Sequence, residues 1–198
     1  MFRLFETIRI SDGQAMHMDW HERRMNRSRR EIWAAEDPVS PGAEIVVPGE
    51  FSAGLVRCNV LYGQQIQEIK FSNYEKRPVR SLKLISGDMV DYHLKYADRA
   101  LLDALFGERG DCDEVIIVKN GLITDTSMSN LIFFDGTNWI TPAKPLLNGT
   151  CRDRLVSEGR LIEQDIRPTG LGKFTGCKLI NAMRYPEEEA MIPVSEIC

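Results

Sequence analysis

The first part of the chain alternates apolar and polar residues, a period of two that indicates β-strands. Phe2 to Ile10 is predicted as a strand, Asp12-Gly13 as a hairpin turn, and Ala15 to Met18 as a short return strand. Further along, Gly54 to Tyr62 and Gln65 to Ser72 form a second strand-like pair separated by a turn. The N-terminal part is therefore predicted to contain a strand meander.

A helix is predicted between these two pairs of strands, from about Trp20 to Ala35. At about 100° per residue, one face of this helix carries Met25, Ile32 and Trp33. The opposite face carries Arg23, Arg27 and Arg30. Arginines opposite an apolar stripe are typical of a solvated face rather than of a nucleic-acid patch. His21 and Arg24 fall at the boundary of the apolar face, which leaves Arg24 available for an inward role.

A shift in composition divides the chain near residue 79. The polar run from Asn73 to Pro78 contains a proline, so we place a domain boundary there, between a small domain of residues 1–79 and a second domain of residues 80–198. The second domain is predicted to contain two helices, one carrying Ala100 to Leu105 and one from Thr150 to about Glu158. Its predicted strands are Leu82–Ile85, Glu114–Val118, Leu122–Thr124, Leu131–Phe134, Trp139–Thr141, Lys178–Ala182 and Met191–Val194. This order of elements predicts an α+β protein with a barrel-like second domain.

Composition and charge restrict the class of protein and its partners. The 198 residues allow one large domain or two small ones, and 43% hydrophobic content is ordinary for a globular protein. A formal net charge of -4 with mixed signs argues against a nucleic-acid or membrane partner, so we expect a small-molecule ligand. No apolar run approaches the roughly 20 residues that span a bilayer, and the N-terminus lacks a signal peptide's apolar centre, so a cytoplasmic protein is predicted. Five cysteines without a CxxC spacing predict free thiols and no metal site.

Three polar features of the second half require one explanation. The run from Thr124 to Asn130 places hydroxyls, a carboxylate and an amide between predicted strands. Lys95 precedes a helix, and the helix start at Gly149-Thr150 offers backbone N–H groups to an anion. Pyridoxal phosphate uses all three, because its aldehyde bonds to lysine, its ring nitrogen pairs with a carboxylate and its phosphate accepts N–H groups. Taken singly, such a lysine is more typical of a solvated surface, and aspartate is common in turns.

In their order along almost the whole chain, short motifs resemble the class IV aminotransferases, the pyridoxal-phosphate enzymes of fold type IV. The similar segments are Phe5 to Arg9 with Asp12-Gly13, His21 to Met25, Leu94-Lys95 with Arg99, Gly121 to Asn130, Thr141-Pro142, Leu147 to Arg152, Asn181-Ala182 and Pro193-Val194. This family includes branched-chain and D-amino-acid aminotransferases and aminodeoxychorismate lyase. The resemblance implies a small α/β N-terminal domain, a barrel-like C-terminal domain that carries the Schiff-base lysine, and a homodimer.

The resemblance also implies roles for particular residues. Lys95 would be the Schiff-base lysine and Asp125 the catalytic partner of the pyridine nitrogen. The implied cofactor-binding residues, beside these two, are Arg24, Ser127, Ser129, Asn130, Gly149, Thr150, Asn181 and Ala182. Arg24 would pair with the phosphate, and Gly149 and Thr150 would hold it through their N–H groups. For the substrate, an amino or keto acid, we predict Arg57 as the carboxylate ligand and Phe5 as part of the pocket wall.

The chain departs from the family's pattern in three ways. Asp125 stands where the family usually has glutamate, the helix start at Gly149 has its hydroxyl moved by one position, and the chain is shorter than typical relatives. These departures leave the substrate open. An aminotransferase is the primary expectation. Elimination of the aminodeoxychorismate lyase type, giving pyruvate and 4-aminobenzoate, and a catalytically reduced relative that binds a metabolite are the alternatives.

Overall fold

The structure, a computed structural model, describes residues 3–198 and divides them into two compact units. The first unit contains the chain up to Lys76 together with Leu94–Asp98, and the second contains Arg77–His93 and Arg99–Cys198. The sequence prediction set the boundary at residue 79 and assigned all later residues to one domain. The structure instead packs the segment that carries Lys95 with the first unit. Phe2, the first residue of the predicted N-terminal strand, lies outside the described residues.

The first unit is an antiparallel sheet with a helix packed on one face. Its strands are β1 (Leu4–Ser11), β2 (Gln14–Ala15), β3 (Leu55–Tyr62) and β4 (Ile66–Asn73), in the order β2-β1-β3-β4. Its helices are α1 (Met18–Trp33) and the short α2 (Pro41–Glu44). Alternate residues of β1 are fully buried, so one face of the sheet forms a core with Met25 of α1. Arg23, Arg27 and Arg30 are exposed, which confirms the solvated face predicted for this helix.

The segment Leu94–Asp98 covers the open edge at the start of β1. Strand β2 pairs with Ile10 and Ser11 at the end of β1, so it does not reach the start of the same edge. There Leu4 forms an antiparallel bridge with Tyr96, and the Phe5 N–H donates to the Lys95 carbonyl oxygen at 3.0 Å. Bare strand edges are costly to expose, and this pairing explains why the segment belongs to the first unit.

The second unit contains two sheets that share one apolar core. The first sheet has the order β5-β6-β7, from β5 (Leu82–Ser86), β6 (Glu114–Lys119) and β7 (Leu122–Ile123). The second has the order β10-β9-β8-β11-β12, from β8 (Asn130–Phe134), β9 (Trp139–Pro142), β10 (Ile162–Gln164), β11 (Gly176–Ile180) and β12 (Ile192–Pro193). The helices are α3 (Ala100–Gly107) and α4 (Thr150–Ser157). Ile116 of the first sheet packs in one cluster with Leu131 and Leu179 of the second. The predicted α+β class is confirmed.

Strand β10 was absent from the prediction because its sequence carries no strand pattern. Ile162, Glu163 and Gln164 are all exposed, so they show no alternation of apolar and polar residues. They pair in parallel with β9 after α4 has brought the chain back along the sheet. Only the tertiary structure makes this segment a strand.

All five cysteines are unbonded, and the Sγ atoms of Cys112 and Cys198 lie 3.1 Å apart. Within residues 3–198 no three histidine, cysteine, aspartate or glutamate side chains converge as ligands for a metal ion. The helices of the described chain include none with the length and apolar character needed to cross a bilayer.

Candidate functional site

The polar run between β7 and β8 is a buried loop rather than a surface loop. Thr124 to Ser127, Ser129 and Asn130 are each at most 6% exposed. A buried loop must satisfy its own polar groups, and its hydroxyls do so here. Thr124 Oγ1 donates to the Ile117 carbonyl oxygen, and Thr126 Oγ1 accepts the Ser129 N–H at 2.9 Å. The loop is therefore held in one conformation by its own side chains.

Asp125 is the carboxylate that this loop presents. Its Oδ1 accepts the Asn130 side-chain amide at 2.8 Å, and its Oδ2 accepts the Leu147 backbone N–H at 2.9 Å. Within the described chain it forms no ion pair, since the nearby Arg152 is bound to Glu163 at 2.6 Å. Burial raises the pKa of Asp125 to about 7, and the Leu147 and Asn130 hydrogen bonds oppose this rise. Each carboxylate oxygen has a second lone pair, so Asp125 can still accept a cationic N–H donor.

Asn130 connects Asp125 to the start of α4. Besides Asp125, its amide donates to the Leu147 carbonyl oxygen at 2.8 Å. Gly149 is the residue before α4 and has extended backbone angles of φ -71 and ψ 140. A Cβ atom at Gly149 would lie 2.1 Å from Asn130 Oδ1, well inside van der Waals contact. The absence of a side chain at Gly149 is therefore what lets Asn130 reach the carboxylate.

We expect Gly149→Ala to displace Asn130 and to lower the free energy of unfolding by about 1–3 kcal/mol, as overpacking of a buried site does. The displaced amide would also leave Asp125 with one hydrogen bond fewer. Urea denaturation measures the loss. The matched control is Gly172→Ala, because nothing lies within 4 Å of a Cβ built there. Equal stabilities for the two variants would contradict the packing described for Gly149.

Other residues of the second unit that belong to the similar motifs lie around the same loop. Arg99, which precedes α3, donates to the Ser127 carbonyl oxygen at 2.8 Å. Asn181 donates from its side chain to Ser129 Oγ at 2.8 Å and starts a tight turn with Arg184 that contains Ala182. Thr150 is buried at the first residue of α4, whose N-terminus has no side-chain cap. The structure thus joins the predicted residues of this unit into one set, and their contact with a cofactor stays a prediction.

Lys95 belongs to the first unit, where it lies opposite Phe5. The two residues are neighbours across the pairing of the Leu94–Asp98 segment with β1. Lys95 Nζ lies 4.5 Å from the centre of the Phe5 ring, a cation–π distance. Both side chains are half-buried. The Lys95 amine therefore lies over an aromatic ring, on a side chain that is half-buried.

Arg24 is held by a buried carboxylate that the sequence interpretation missed. Glu6 is fully buried on β1 and accepts hydrogen bonds from two residues of α1. Two nitrogens of the Arg24 guanidinium donate to it, Nε at 2.9 Å, and His21 Nδ1 donates at 2.7 Å. Burial by itself raises the pKa of Glu6, but Arg24 and His21 outweigh it and lower that pKa to about 2. Burial lowers the pKa of His21. The sequence does contain a pattern that predicts this pairing. Glu6 interrupts the apolar positions of β1, and a buried charge requires a partner.

We expect Glu6→Ala to lower the free energy of unfolding by about 3–5 kcal/mol, because it leaves Arg24 buried without its counter-ion. The pair should also weaken in acid. Because the pKa of Glu6 is lowered in the folded protein, Glu6 stabilises the folded state at pH values above the ordinary carboxyl pKa. This stabilisation is lost as pH falls toward 2. Urea denaturation between pH 2 and 7 measures both effects. Asp19→Ala, which removes an exposed ion pair with Arg23, is the control and should cost under about 1 kcal/mol.

Arg57 lies on β3 and faces away from the apolar core. Its Nε donates to Ser72 Oγ at 3.3 Å, and its guanidinium lies 5.9 Å from the centre of the Tyr74 ring. It shares the sheet face that carries Phe5, although the two residues are not opposite each other in the register. The assignments of Arg57 and Phe5 to the substrate stay predictions.

This chain belongs to the class IV aminotransferase family. Residues 89–197 match the family model described as amino-transferase class IV, and the enzymes of this family use pyridoxal phosphate. The match covers α3, the buried loop with Asp125 and Asn130, and Gly149 together with the helix α4 that follows it. The resemblance inferred from the short motifs is thereby confirmed.

Individual relatives agree with this assignment. An uncharacterized protein of Haemophilus influenzae is 38% identical over 185 residues, which are 92% of this chain and 98% of the relative. A crystal structure from Haemophilus somnus, provisionally described as a 4-amino-4-deoxychorismate lyase, has 34% identity and a TM-score of 0.86, covering 93% of this chain and 98% of that one. The structure of a hypothetical aminotransferase of Mycobacterium tuberculosis with bound pyridoxal phosphate has 18% identity and a TM-score of 0.76, covering 98% of this chain and 81% of that one. These similarities confirm the fold-type-IV architecture.

Proposed function

We propose that this protein is a pyridoxal-phosphate-dependent enzyme acting on the amine of a small organic acid, with transamination as its first candidate reaction. The observation that supports this most directly is the buried Asp125. Within residues 3–198 this carboxylate has no ion pair, and a carboxylate whose pKa burial raises to about 7 is stabilised when a cationic N–H group binds beside it. The protonated ring nitrogen of the cofactor is such a group. The donor set of the second unit therefore fits this cofactor.

Residues of the second unit would hold the ring and the phosphate. Asp125 would accept the ring N–H, and Asn130 would keep the carboxylate oriented toward it through the 2.8 Å hydrogen bond. Gly149 and Thr150, at the uncapped start of α4, would offer backbone N–H groups to the phosphate. Asn181 and Ala182 would border it on the other side, and Ser127 to Asn130 would lie beside the ring.

Residues of the first unit would supply the amine and the cationic groups. When bound, the cofactor supplies an aldehyde for covalent attachment and a conjugated ring that accepts electrons from the substrate carbon. Lys95 would hold that aldehyde in the resting enzyme and would then move the proton of the substrate carbon as a general base. Arg24, kept rigid by Glu6, would pair with the phosphate, and Phe5 and Arg57 would face the substrate.

A second candidate reaction is elimination, the aminodeoxychorismate lyase type. It is favoured by one observation, the 34% identity over nearly the whole chain to the Haemophilus somnus protein described as such a lyase. Both reactions would begin with the same proton removal by Lys95. In transamination Lys95 would return that proton to the cofactor and water would release a keto acid, whereas in elimination the bond to a leaving group would break and pyruvate would be released. We also propose that the protein is cytoplasmic and forms a homodimer.

The test has two parts. Purified protein supplied with pyridoxal phosphate should show a lysine-bound cofactor absorption band, and borohydride followed by peptide mapping should place the label on Lys95. L- and D-amino acids and aminodeoxychorismate are then tested for keto acid, pyruvate and 4-aminobenzoate release. Label on another lysine, or no cofactor uptake, contradicts the proposal. Bound cofactor that reacts with no donor supports the metabolite-binding alternative instead.

A further inference from the structure

Two of the five cysteines lie side by side in the second unit, away from the residues of the candidate site. The Sγ atoms of Cys112 and Cys198 are 3.1 Å apart, although the two residues are separated by 86 positions in the sequence. Cys198 is exposed and Cys112 is half-buried. An S–S bond is about 2.05 Å long, so the two sulfur atoms need to approach by only about 1 Å to form one. The fold thus brings two distant thiols within reach of one covalent bond.

Both cysteines are anchored beside the start of β5 by backbone groups. The Cys198 N–H donates to the Leu82 carbonyl oxygen at 2.9 Å. Asp113, the neighbour of Cys112, donates its N–H to Ser81 Oγ at 3.1 Å. These anchors belong to adjacent residues of one segment, so the folded chain itself holds the two thiols together. Groups held in this way react with each other at a high effective concentration.

The other three cysteines are poor reactants. Cys58, Cys151 and Cys177 are at most 4% exposed, and burial raises the pKa of their thiols to about 12, 11 and 12 respectively. The thiolate is the form of cysteine that attacks a disulfide, and these thiols contain almost none of it near neutral pH. A thiol-directed oxidant is therefore expected to act on Cys112 and Cys198.

We infer that Cys112 and Cys198 form a reversible modification site, which a low-molecular-weight disulfide converts into an internal disulfide. The Cys198 thiolate attacks one sulfur of the reagent, which breaks the reagent's S–S bond, forms a mixed disulfide and releases one small thiol. The Cys112 thiolate then attacks Cys198 Sγ and displaces the second small thiol. The protein loses two electrons and two protons, and the reagent takes them up as two thiols.

The surroundings of the two thiols determine this order. Cys198 is exposed to the reagent. The hydrogen bond with Cys198, and after it burial, raises the pKa of Cys112. Cys112 therefore has the smaller fraction of thiolate that an ordinary thiol would have, and it is the less exposed of the two. Its reaction is expected second, when Cys198 already presents a disulfide sulfur beside it.

The disulfide would fasten the outer edge of a sheet. One side of β5 pairs with β6, and on its other side Leu82 forms a parallel bridge with Ile197. In the reduced protein only noncovalent contacts hold Ile197 and Cys198 on this edge. Oxidation would close a covalent loop from residue 112 to residue 198 and so restrict the unfolded chain. Disulfides of cytosolic proteins are usually transient, so in the proposed cytoplasmic location this bond would form and open with the redox state.

The modification is tested by counting thiols in the purified protein, without cofactor. After treatment with oxidised glutathione under native conditions, the wild type should lose two of its five thiols and retain no glutathione. Peptide mapping without reductant should link Cys112 to Cys198 within one chain, and dithiothreitol should restore both thiols. Cys112→Ser should instead retain one glutathione on Cys198, and Cys198→Ser should form no disulfide. Five unreacted thiols, glutathione retained on both cysteines, or a link between two chains overturns the inference.

Thermal unfolding tests the effect on the fold. The oxidised wild type should unfold at a temperature about 5 °C or more above that of the reduced wild type, because a long closed loop restricts the unfolded chain. Cys198→Ser is the matched control and should unfold at the same temperature with and without the treatment. An internal disulfide that leaves the unfolding temperature of the wild type unchanged overturns the fastening role. Neither measurement involves pyridoxal phosphate, so both outcomes are independent of the proposed function.

Discussion

Replacement of Lys95 by alanine should abolish the covalent attachment of the cofactor and lower turnover by about three orders of magnitude or more. The variant removes the amine that would hold the cofactor and the base that would move the substrate proton, and each role contributes independently. The measurement combines the absorption spectrum of the loaded protein with single-turnover rates. Pyridoxal phosphate should still bind noncovalently, because Asp125 and the α4 N-terminus are unchanged.

A matched variant separates this effect from a general loss of a lysine. Lys144 is exposed and pairs with Asp165 on the surface of the second unit, so Lys144→Ala should leave both the spectrum and the rates unchanged. Circular dichroism of both variants verifies folding. A Lys95→Ala protein that still forms a borohydride-trapped adduct at the wild-type rate would remove Lys95 from the mechanism.

Replacement of Asp125 by asparagine should reduce turnover at least about a hundredfold while preserving the shape of the site. The side chains are of similar size, but the neutral amide no longer stabilises a protonated ring nitrogen, the kind of electrostatic support that enzymes depend on. Cofactor affinity, measured by titration of the apo protein, should fall as well. Asp165→Asn, at an exposed acid of the same unit, is the control.

The same variant should change how stability depends on pH. The pKa of Asp125 is raised to about 7 in the folded apo protein, so the folded state binds more protons than the unfolded state between the ordinary aspartate pKa and about 7. The contribution of Asp125 to the free energy of unfolding therefore falls as pH rises through that interval, by a few kcal/mol at most. Above that interval the contribution is constant. Urea denaturation of wild type and Asp125→Asn should differ in slope across this interval. Parallel profiles would show that Asp125 titrates normally.

Much of the fold could be predicted because its elements follow local patterns. Strand β1 buries alternate residues, and helix α1 separates an apolar stripe from three exposed arginines, so both elements could be predicted from local sequence patterns. Strands β3 and β4 were predicted as two strands joined by a turn, and they pair antiparallel in the structure. Strand β10 and the position of Leu94–Asp98 depend on pairing between distant parts of the chain, which no local window contains.

The candidate site was predictable where polar residues are consecutive. Asp125 and Asn130 lie in one loop, so their proximity follows from the sequence, whereas the close approach of Gly149 to Asn130 depends on where α4 packs. The pairing of Glu6 with Arg24 joins positions 18 residues apart on different elements. A strict test of alternation would have marked Glu6, since a charge among buried positions requires a partner.

The edge of the first sheet has a consequence for how the chain is synthesised. The first unit takes its edge segment from residues 94–98, although the rest of that unit ends at Lys76. A nascent chain that has emerged only as far as β4 thus has β1 with an unpaired edge at Leu4 and Phe5, a template for association with other chains. A fragment cut at the predicted boundary would keep that edge open permanently. Completion of the first sheet on the ribosome must wait until β5, a strand of the other unit, has already been translated.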